Sequence, residues 1–486
     1  MIHDSNTEEI TGSADGGALY ALKNTSAPIG ARAKWKTPIL ILLSLFAFYL
    51  LMFQRYRPYD IDNPWFLSFS YNTCVEHIYT DQFMNVRFPG GMDGTQLFGK
   101  LAAYTQCGVL GLTGWNQWCA VILAATLVVL SLGMWWLQLR KLEYSDSFNV
   151  CFLVAAGISE PFLSTANKFR YEHLSFALLS LGLLLISYRK PLWGMFVAAL
   201  AVEMEPIALA GVIAALVLAC SVHKMTRGLI VRLVFGVSLA GAIYLALHPN
   251  VIHIGHYLSQ VKQKEGVHIG GFVATYFLRR LRHLPEAICF IVAAVFYWRR
   301  RQSMRSHYFG LSALAITLFS IVMPHGNASY MIFLYPFLLA MALVAFRAEH
   351  RARLTLFIVI LYVVPQYGFL MYMNRNQGYR LWEIQKASRS IRDASQQLGI
   401  RDEQLRIYGD YGLWFAHPHF YRAASMTTTD YIQDADLYLC YDSWSAMKGL
   451  APAHMFYCPD LKQRLPLRLL STIPMRDRIL HLYAKR

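Results

Sequence analysis

Two carboxylates follow a long apolar run near the start of the chain. In the stretch RYRPYDIDNPWFL, residues 55–67, Asp60 and Asp62 stand two positions apart among aromatic and basic side chains. A carboxylate within hydrogen-bond reach of a hydroxyl can take its proton as that hydroxyl attacks. A D-x-D pair can also hold a divalent metal ion, although this spelling is a weak signal by itself. The stretch therefore raises the hypothesis of acid–base chemistry at the edge of a membrane.

Further ionisable residues stand at the ends of other apolar runs, in ISEPF, KFRYEHLS, VEMEPI and MPHGNASY. An ionisable group at membrane depth is costly and indicates function, although a single acid at a helix end can simply cap it. Together, acids such as Glu160, Glu172, Glu203 and Glu205 predict a polar cavity that opens to the outer face. Lys168, Arg170 and His325 are candidates for binding phosphate beside an apolar groove. Arg279, Arg280 and Arg282 either join them or reach lipid headgroups.

The elements that must position these residues are membrane spans. The chain has 486 residues, of which 56% are hydrophobic and only 15% are charged, whereas soluble domains carry about 25% charge. The apolar blocks have roughly the length that crosses a hydrocarbon core. The net charge is +16, and the basic residues that produce it lie between the apolar blocks. This distribution argues against nucleic-acid binding. We predict an all-α polytopic membrane protein with about eleven spans, at 38–54, 116–137, 148–164, 172–188, 191–206, 207–222, 229–247, 285–298, 307–323, 329–346 and 354–373.

Charge in the connections predicts the orientation. Every second connection is rich in Lys and Arg, as in WRRRQSMR and FRAEHRAR, and such connections stay in the cytoplasm. The N-terminus is then cytoplasmic and the C-terminus extracytoplasmic. The predicted division is a disordered tail at 1–37, a transmembrane domain at 38–373 and an outer domain at 374–486. The long loop 55–115 lies outside and contains a surface helix.

The outer domain has the pattern of a small mixed α/β unit. RLWEIQKASRSIRDASQQLG predicts a helix, and QLRIYGDYG, ADLYLCYDS and RILHLYAKR predict strands. Cys440 and Cys458 both fall here and form either one disulfide or two buried thiols. His417 and His419, in FAHPHFY, fit a surface loop better than a ligand set, and the chain contains no zinc motif.

The order of these features resembles that of GT-C membrane glycosyltransferases, such as the protein O-mannosyltransferases and the lipid A aminoarabinose transferases. DIDNPWFLSFSYN is similar to the acidic motif after span one, and FPGGMDGTQLFGKLAAYTQCGVLGL is similar to the surface helix. HGNASYMIFLYPFLLAMA is similar to the late connection, with Tyr330 and Pro336 in place. The chain departs from those families in having Asp62-Asn63 for Asp-Glu and Ser329 for Arg. It also lacks Lys-Pro-Pro in the surface helix, where Lys100 is nearby.

The resemblance implies a GT-C-like fold and an inverting sugar transfer from a polyprenyl-phosphate donor. The acceptor is a hydroxyl of a lipid, a glycan or a protein, at the outer face of a bacterial inner membrane. Such a donor requires no cofactor, and a divalent metal is a less favoured alternative. Asp62 is the expected general base, with Asp60 second. The expected substrate-binding residues are Lys100, Lys168, Arg170, Glu172, His325 and Tyr330.

Two other function classes fit part of the pattern. A secondary transporter would use the same acids and bases to bind a substrate or protons. An oligosaccharide polymerase or ligase would also take a lipid-linked substrate, but would transfer a larger glycan. The structured first loop and the C-terminal domain favour the glycosyltransferase over the transporter.

Overall fold

The structure is a computed structural model that is largely helical. It describes residues 35–55, 62–75, 77, 79, 97–249, 251, 271–278, 283–299, 304–322, 328–347, 381–409, 411–416, 435–441, 457–475 and 479–486. Its α-helices are α1 (Lys36–Arg55), α2 (Asp62–Val75), α3 (Lys100–Thr113), α4 (Gln117–Lys141), α5 (Asp146–Gly157), α6 (Glu160–Ala166), α7 (Glu172–Ser187), α8 (Pro191–Met204), α9 (Leu209–Val222), α10 (Arg227–Leu247), α11 (Gly271–Phe277), α12 (Leu284–Arg299), α13 (Met304–Val322), α14 (Tyr335–Arg347), α15 (Leu381–Leu398) and α16 (Cys458–Arg464).

Within these residues, three helices are long and apolar enough to cross a membrane. They are Lys36–Phe53 of α1, Gln117–Lys141 and Arg227–Leu247. Most other predicted spans correspond to shorter apolar helices, including α7, α8 and α14. The predicted span 354–373 lies outside the described residues, as does most of the predicted tail 1–37. The chain is thus a polytopic membrane protein, and the total of eleven spans stays a prediction.

The predicted span 148–164 is not one straight helix. α5 and α6 meet at a bend of 60°. The break falls at Ile158–Ser159, and Pro161 lies in the first turn of α6, where a proline is tolerated because its missing N–H has no helical partner. The sequence predicted a span over these residues but not the bend within it. The bend places Glu160 at the start of a new helix.

Close contacts between helices depend on glycine. A Cβ on Gly182 of α7 would lie 2.7 Å from the carbonyl oxygen of Gly194 in α8. Small residues let helix backbones approach within a membrane, where packing drives association. α8 ends at Met204, and the 3-10 turn Pro206–Ala208 separates it from α9. This turn lies at the predicted boundary between the spans 191–206 and 207–222.

The core of the membrane region centres on large aromatic residues. Trp135 of α4 is fully buried, stacks on Phe152 of α5 with ring centroids 5.6 Å apart, and meets Phe337 of α14 edge-on at 5.1 Å. Offset and edge-on arrangements suit the aromatic quadrupole. Trp135 and Phe337 lie about 200 residues apart in sequence. Their contact therefore packs an early helix of the bundle against a late one.

The C-terminal residues form a four-stranded mixed sheet. Its strands are β1 (Ile407–Tyr408), β2 (Leu437–Tyr441), β3 (Leu467–Pro474) and β4 (Ile479–Lys485), in the order β1-β2-β4-β3. β1 runs parallel to β2, and the other pairs are antiparallel. The predicted helix and three predicted strands are confirmed. β3 was not predicted, and its register shifts at a bulge between Leu469 and Ser471, which breaks the two-residue period.

A disulfide joins Cys440 of β2 to Cys458 of α16, which decides between the two states left open by the sequence. The C-terminal region also packs on the first loop and its surroundings. Tyr71 of α2 meets Trp414 edge-on at 5.9 Å, and Phe169 meets Phe415 edge-on at 5.6 Å. The first loop and the C-terminal sheet therefore lie on the same side of the bundle.

Candidate functional site

The helix α2 carries one of the two predicted carboxylates. Asp62 is its first residue, and Pro64 lies in its first turn, where the fixed φ of proline suits a helix start. Asp60 lies outside the described residues. Phe66 follows Asp62 by four positions, which is about one turn of an α-helix. The contacts of Phe66 therefore show what lies one turn beyond the start of α2.

Phe66 contacts the segment 167–171, which links α6 to α7 and contains Lys168 and Arg170. Its ring meets Tyr171 edge-on at 4.7 Å, and the Tyr171 hydroxyl donates to the Phe66 carbonyl over 3.2 Å. The Arg170 guanidinium lies over the Phe66 ring, with its central carbon 5.1 Å from the centroid. A cation over an aromatic face is attracted by the ring quadrupole. Arg170 and Tyr171 of this segment thus pack directly against Phe66 of α2.

Arg170 is buried, with 4% of its surface exposed. Its Nε lies 2.7 Å from Oε1 of Glu172, and its Nη2 donates to the Tyr330 hydroxyl over 3.2 Å. A buried ion pair of this kind is strongly destabilised when one partner is removed, by about 3–5 kcal/mol. The structure thus joins three predicted site residues in one cluster.

Lys168 reaches the same late connection. Its Nζ donates to the Ser329 hydroxyl over 3.0 Å, and Ser329 precedes Tyr330 in the 3-10 turn Ala328–Phe333. Lys168 is half-buried, whereas Ser329 is buried. His325, the remaining candidate in this connection, lies outside the described residues.

Lys100 has a different set of contacts, at the start of α3. Its Nζ donates to the carbonyl of Leu247, the last residue of α10, over 2.6 Å. Beside it, the Glu203 carboxylate accepts from the Leu101 N–H and bonds His248 Nε2 at 2.9 Å. Burial lowers the pKa of Lys100, and the nearby Glu203 charge opposes that shift. Glu203 satisfies the first turn of α3, which is a capping role.

A second polar cluster was not recognised in the sequence. His283 Nε2 lies 3.0 Å from Glu160 Oε2, and His283 Nδ1 lies 3.2 Å from Glu286 Oε2. The hydroxyls of Tyr276 and Tyr335 donate to Glu286 over 3.2 and 2.5 Å. Because both ring nitrogens face carboxylates, the geometry fits a doubly protonated imidazole. The sequence had singled out Glu160 as an acid at the end of an apolar run, but not its partners His283 and Glu286.

Two links between α2 and α3 were also missed. The Ser70 hydroxyl donates to Gln106 Oε1 over 2.6 Å, and Gln106 Nε2 donates to the Phe169 carbonyl over 3.1 Å. One turn further along, a disulfide joins Cys74 to Cys107. Gln106 thus connects α2, α3 and the segment between α6 and α7 that contains Lys168 and Arg170.

An apolar groove of about 480 Å³ runs along α11, α12, α13 and α14. Its walls include Phe277, Phe290 and Trp298. Phe290 contacts Tyr335 at 5.6 Å, so the groove adjoins the polar cluster around His283. Among the described residues, no group of three or more His, Cys, Asp or Glu is set to hold a metal ion.

Comparison with solved structures gives a match over nearly the whole chain. The crystal structure of ArnT from Cupriavidus metallidurans, bound to undecaprenyl phosphate, aligns with a TM-score of 0.58 at 12% identity. The alignment covers 92% of this chain and 97% of that chain. The chain has a GT-C fold.

A weaker match has a TM-score of 0.46 at 12% identity, and covers 90% of this chain and 74% of the other. It is the archaeal oligosaccharyltransferase AglB from Archaeoglobus fulgidus in complex with an inhibitory peptide and a dolichol-phosphate. At that TM-score it supports no conclusion about this chain. No protein-family model and no curated protein matches the sequence.

Within the GT-C fold, the predicted site residues fall into two groups. Lys168, Arg170, Glu172 and Tyr330 come together beside α2, although up to 162 positions separate them in sequence. Lys100 instead contacts the end of α10. For Asp62, the structure gives only its backbone position at the start of α2. Asp60 and His325 lie outside the described residues.

Proposed function

We propose that this protein transfers a sugar from a polyprenyl-phosphate donor to a hydroxyl acceptor, with inversion at the anomeric carbon. The observation that carries the proposal is the GT-C fold shared with ArnT over 92% of this chain, because that structure holds undecaprenyl phosphate. The acceptor class is a lipid, a glycan or a protein. The membrane lipid is the medium from which the donor reaches the site.

In the proposed reaction, an acceptor oxygen attacks the anomeric carbon as its proton passes to a first-loop carboxylate. The bond from that carbon to the phosphate oxygen breaks, and the polyprenyl phosphate leaves with the electron pair. Asp62 is the proposed base, because it starts α2 one turn before Phe66, and Asp60 is the alternative. Loss of a general base costs about 10²–10⁴-fold in rate.

The leaving phosphate gains negative charge, and cationic donors stabilise such charge. We assign this role to Arg170 and Lys168, with His325 as a further candidate. Support comes from the guanidinium stacked on Phe66, which is one helical turn from Asp62. Glu172 and Tyr330 orient Arg170 through its Nε and Nη2. Lys100 could bind the phosphate only if its Nζ gave up the hydrogen bond to the Leu247 carbonyl.

The apolar groove supports a lipid-linked donor. Its lining is formed almost entirely by apolar side chains of four neighbouring helices, so a lipid tail that arrives from the bilayer can pack against it as it packed against other lipid tails. An isoprenoid chain suits such a groove because it carries no polar group that would need a partner. A free sugar would gain nothing there.

The proposed location is a bacterial inner membrane, with the N-terminus in the cytoplasm and the site at the outer face. The basic connections support this orientation. The contact of Tyr71 with Trp414 also supports it, because the first loop and the C-terminal sheet must share one side.

The experiment that tests the function uses purified protein and radiolabelled undecaprenyl-phosphate hexoses and pentoses, with a bacterial envelope extract as acceptor. Transfer of single sugars, abolished in Asp62→Asn, is the expected result. A transporter would leave the sugar–phosphate bond intact. A polymerase or ligase would be inactive with single sugars and would need a lipid-linked oligosaccharide.

A further inference from the structure

Asn167 is a buried polar residue next in sequence to Lys168, one of the proposed phosphate-binding residues. It caps the C-terminal end of α6 and directly precedes Lys168. Only 1% of its surface is exposed. In the part of the chain that the structure describes, neither Oδ1 nor Nδ2 of its carboxamide has a hydrogen-bond partner. Nearly all buried polar groups in proteins are paired, so an unpaired one requires an explanation.

The backbone does not supply that explanation. Asparagine is favoured at helix ends where the residue adopts a left-handed conformation. Asn167 instead has φ of −107° and ψ of 3°, which other residues adopt readily. Its N–H donates to the Leu163 carbonyl over 3.1 Å, a bond that any residue except proline could make. Neither the fold nor the cap therefore requires a carboxamide at this position.

A second buried asparagine provides the comparison. Asn149 of α5 is fully buried, and its Nδ2 donates to the Tyr144 carbonyl over 3.3 Å. That amide links the start of α5 to the preceding connection, which is a structural role. Asn149 Oδ1 has no hydrogen-bond partner among the described residues, so one of its two polar atoms is paired. Asn167 is as buried as Asn149, yet neither of its polar atoms is paired. The two side chains differ in what they contact within the folded protein.

The surroundings of Asn167 indicate what could pair with it. The next residue, Lys168, bonds Ser329, and Arg170 bonds Tyr330. In the proposed function these cations bind the phosphate of the donor. The sugar is attached directly to that phosphate, so its hydroxyls lie within a few bond lengths of the cations. A carboxamide both donates and accepts hydrogen bonds, which matches a hydroxyl group that also does both.

We propose that the Asn167 carboxamide is a substrate-binding group that hydrogen-bonds hydroxyls of the donor sugar. The inference rests on the proposed function and deepens it, because it assigns a residue to sugar recognition. A site that pairs with a hydroxyl discriminates against an analogue that lacks it, since the buried polar group is then left unpaired. Asn167 would therefore contribute to the choice of sugar.

The test compares Asn167→Leu with Asn149→Leu, because leucine has the branched shape of asparagine, with a larger volume, and its side chain cannot form hydrogen bonds. Removing an amide that has no partner is expected to leave the unfolding midpoint of the free protein unchanged or higher. Removing the paired amide of Asn149 is expected to lower it. The donor KM is expected to rise about 10- to 100-fold in Asn167→Leu, the effect of one or two hydrogen bonds. It should stay constant in Asn149→Leu.

A second measurement uses undecaprenyl-phosphate deoxy sugars, each lacking one hydroxyl. The wild type should prefer the complete sugar, and the preference should shrink for one or two of these analogues in Asn167→Leu. If leucine is not accommodated, Asn167→Ala removes the same two atoms with less bulk.

A donor KM and deoxy-sugar preference equal to those of the wild type, in Asn167→Leu or in Asn167→Ala, would overturn the role of Asn167 alone. No transfer by the wild type from any undecaprenyl-phosphate sugar would overturn the proposed function and this role with it.

Discussion

Arg170 offers the sharpest separation of a phosphate-binding role from a purely structural one. Its guanidinium is 4% exposed and lies 2.7 Å from the Glu172 carboxylate. In Arg170→Ala that carboxylate would be left buried without its cation, at a cost of about 3–5 kcal/mol. Lost activity in this single variant would therefore have two explanations.

A double variant, Arg170→Met with Glu172→Met, removes both charges and keeps a similar volume. Replacing a buried ion pair by hydrophobic groups of similar size is often neutral or stabilising by about 1–4 kcal/mol. The Tyr330 hydroxyl loses one hydrogen-bond donor, which costs about 1 kcal/mol. The two effects roughly offset each other, so the yield and the unfolding midpoint should stay close to those of the wild type.

Use of the donor should nonetheless fall. A hydrogen bond to a charged group contributes about 1.5–3 kcal/mol. At about 1.4 kcal/mol for each factor of ten, its loss raises the donor KM roughly 10- to 150-fold. The assay measures initial transfer rates against donor concentration at a fixed, saturating level of acceptor. The matched control neutralises the ion pair between the exposed Arg406 and the half-buried Asp436 of the C-terminal region, whose side chains lie 3.1 Å apart.

A donor KM within threefold of wild type in the folded double variant would refute the reasoning. The Arg170–Glu172 pair would then serve only to join α7 to the late connection. A rise of the same size in the Arg406/Asp436 control would also count against it, because the effect would not depend on the site.

Further predictions concern the base, the orientation and the second polar cluster. Asp62→Asn should reduce the transfer rate about 10²–10⁴-fold with normal membrane insertion, and Asp60→Asn should reduce it less. If the measured rates show the reverse order, Asp60 and not Asp62 is the base. A reporter fused after Arg375 should be active outside the cytoplasm, and a reporter fused after Arg301 should be active inside it. Activity of both on the same side would contradict the predicted topology. His283→Gln should lower the unfolding midpoint, because two buried carboxylates lose a shared cation at about 3–5 kcal/mol, and an unchanged midpoint would contradict the ionic network.

Local patterns along the chain predicted much of the fold. The apolar runs around α1, α4 and α10 had the length and hydropathy of membrane spans, and the helical and alternating patterns of the C-terminal region predicted α15, β1, β2 and β4. These features follow from neighbouring residues alone, because helix and strand periods are local. The bend between α5 and α6 was missed, because a proline in an apolar run also fits a continuous span.

The sequence alone identified the segment NKFRYEH and the late connection as candidate site elements, from ionisable residues at the ends of apolar runs. It left the disulfide of Cys440 undecided and gave no sign of the bond between Cys74 and Cys107. Only the tertiary structure brought Arg170 onto Phe66 and Tyr330, Gln106 onto Phe169, and His283 between Glu160 and Glu286. These partners lie far apart in the chain. Their pairing depends on how helices pack against each other, and no local period encodes that packing.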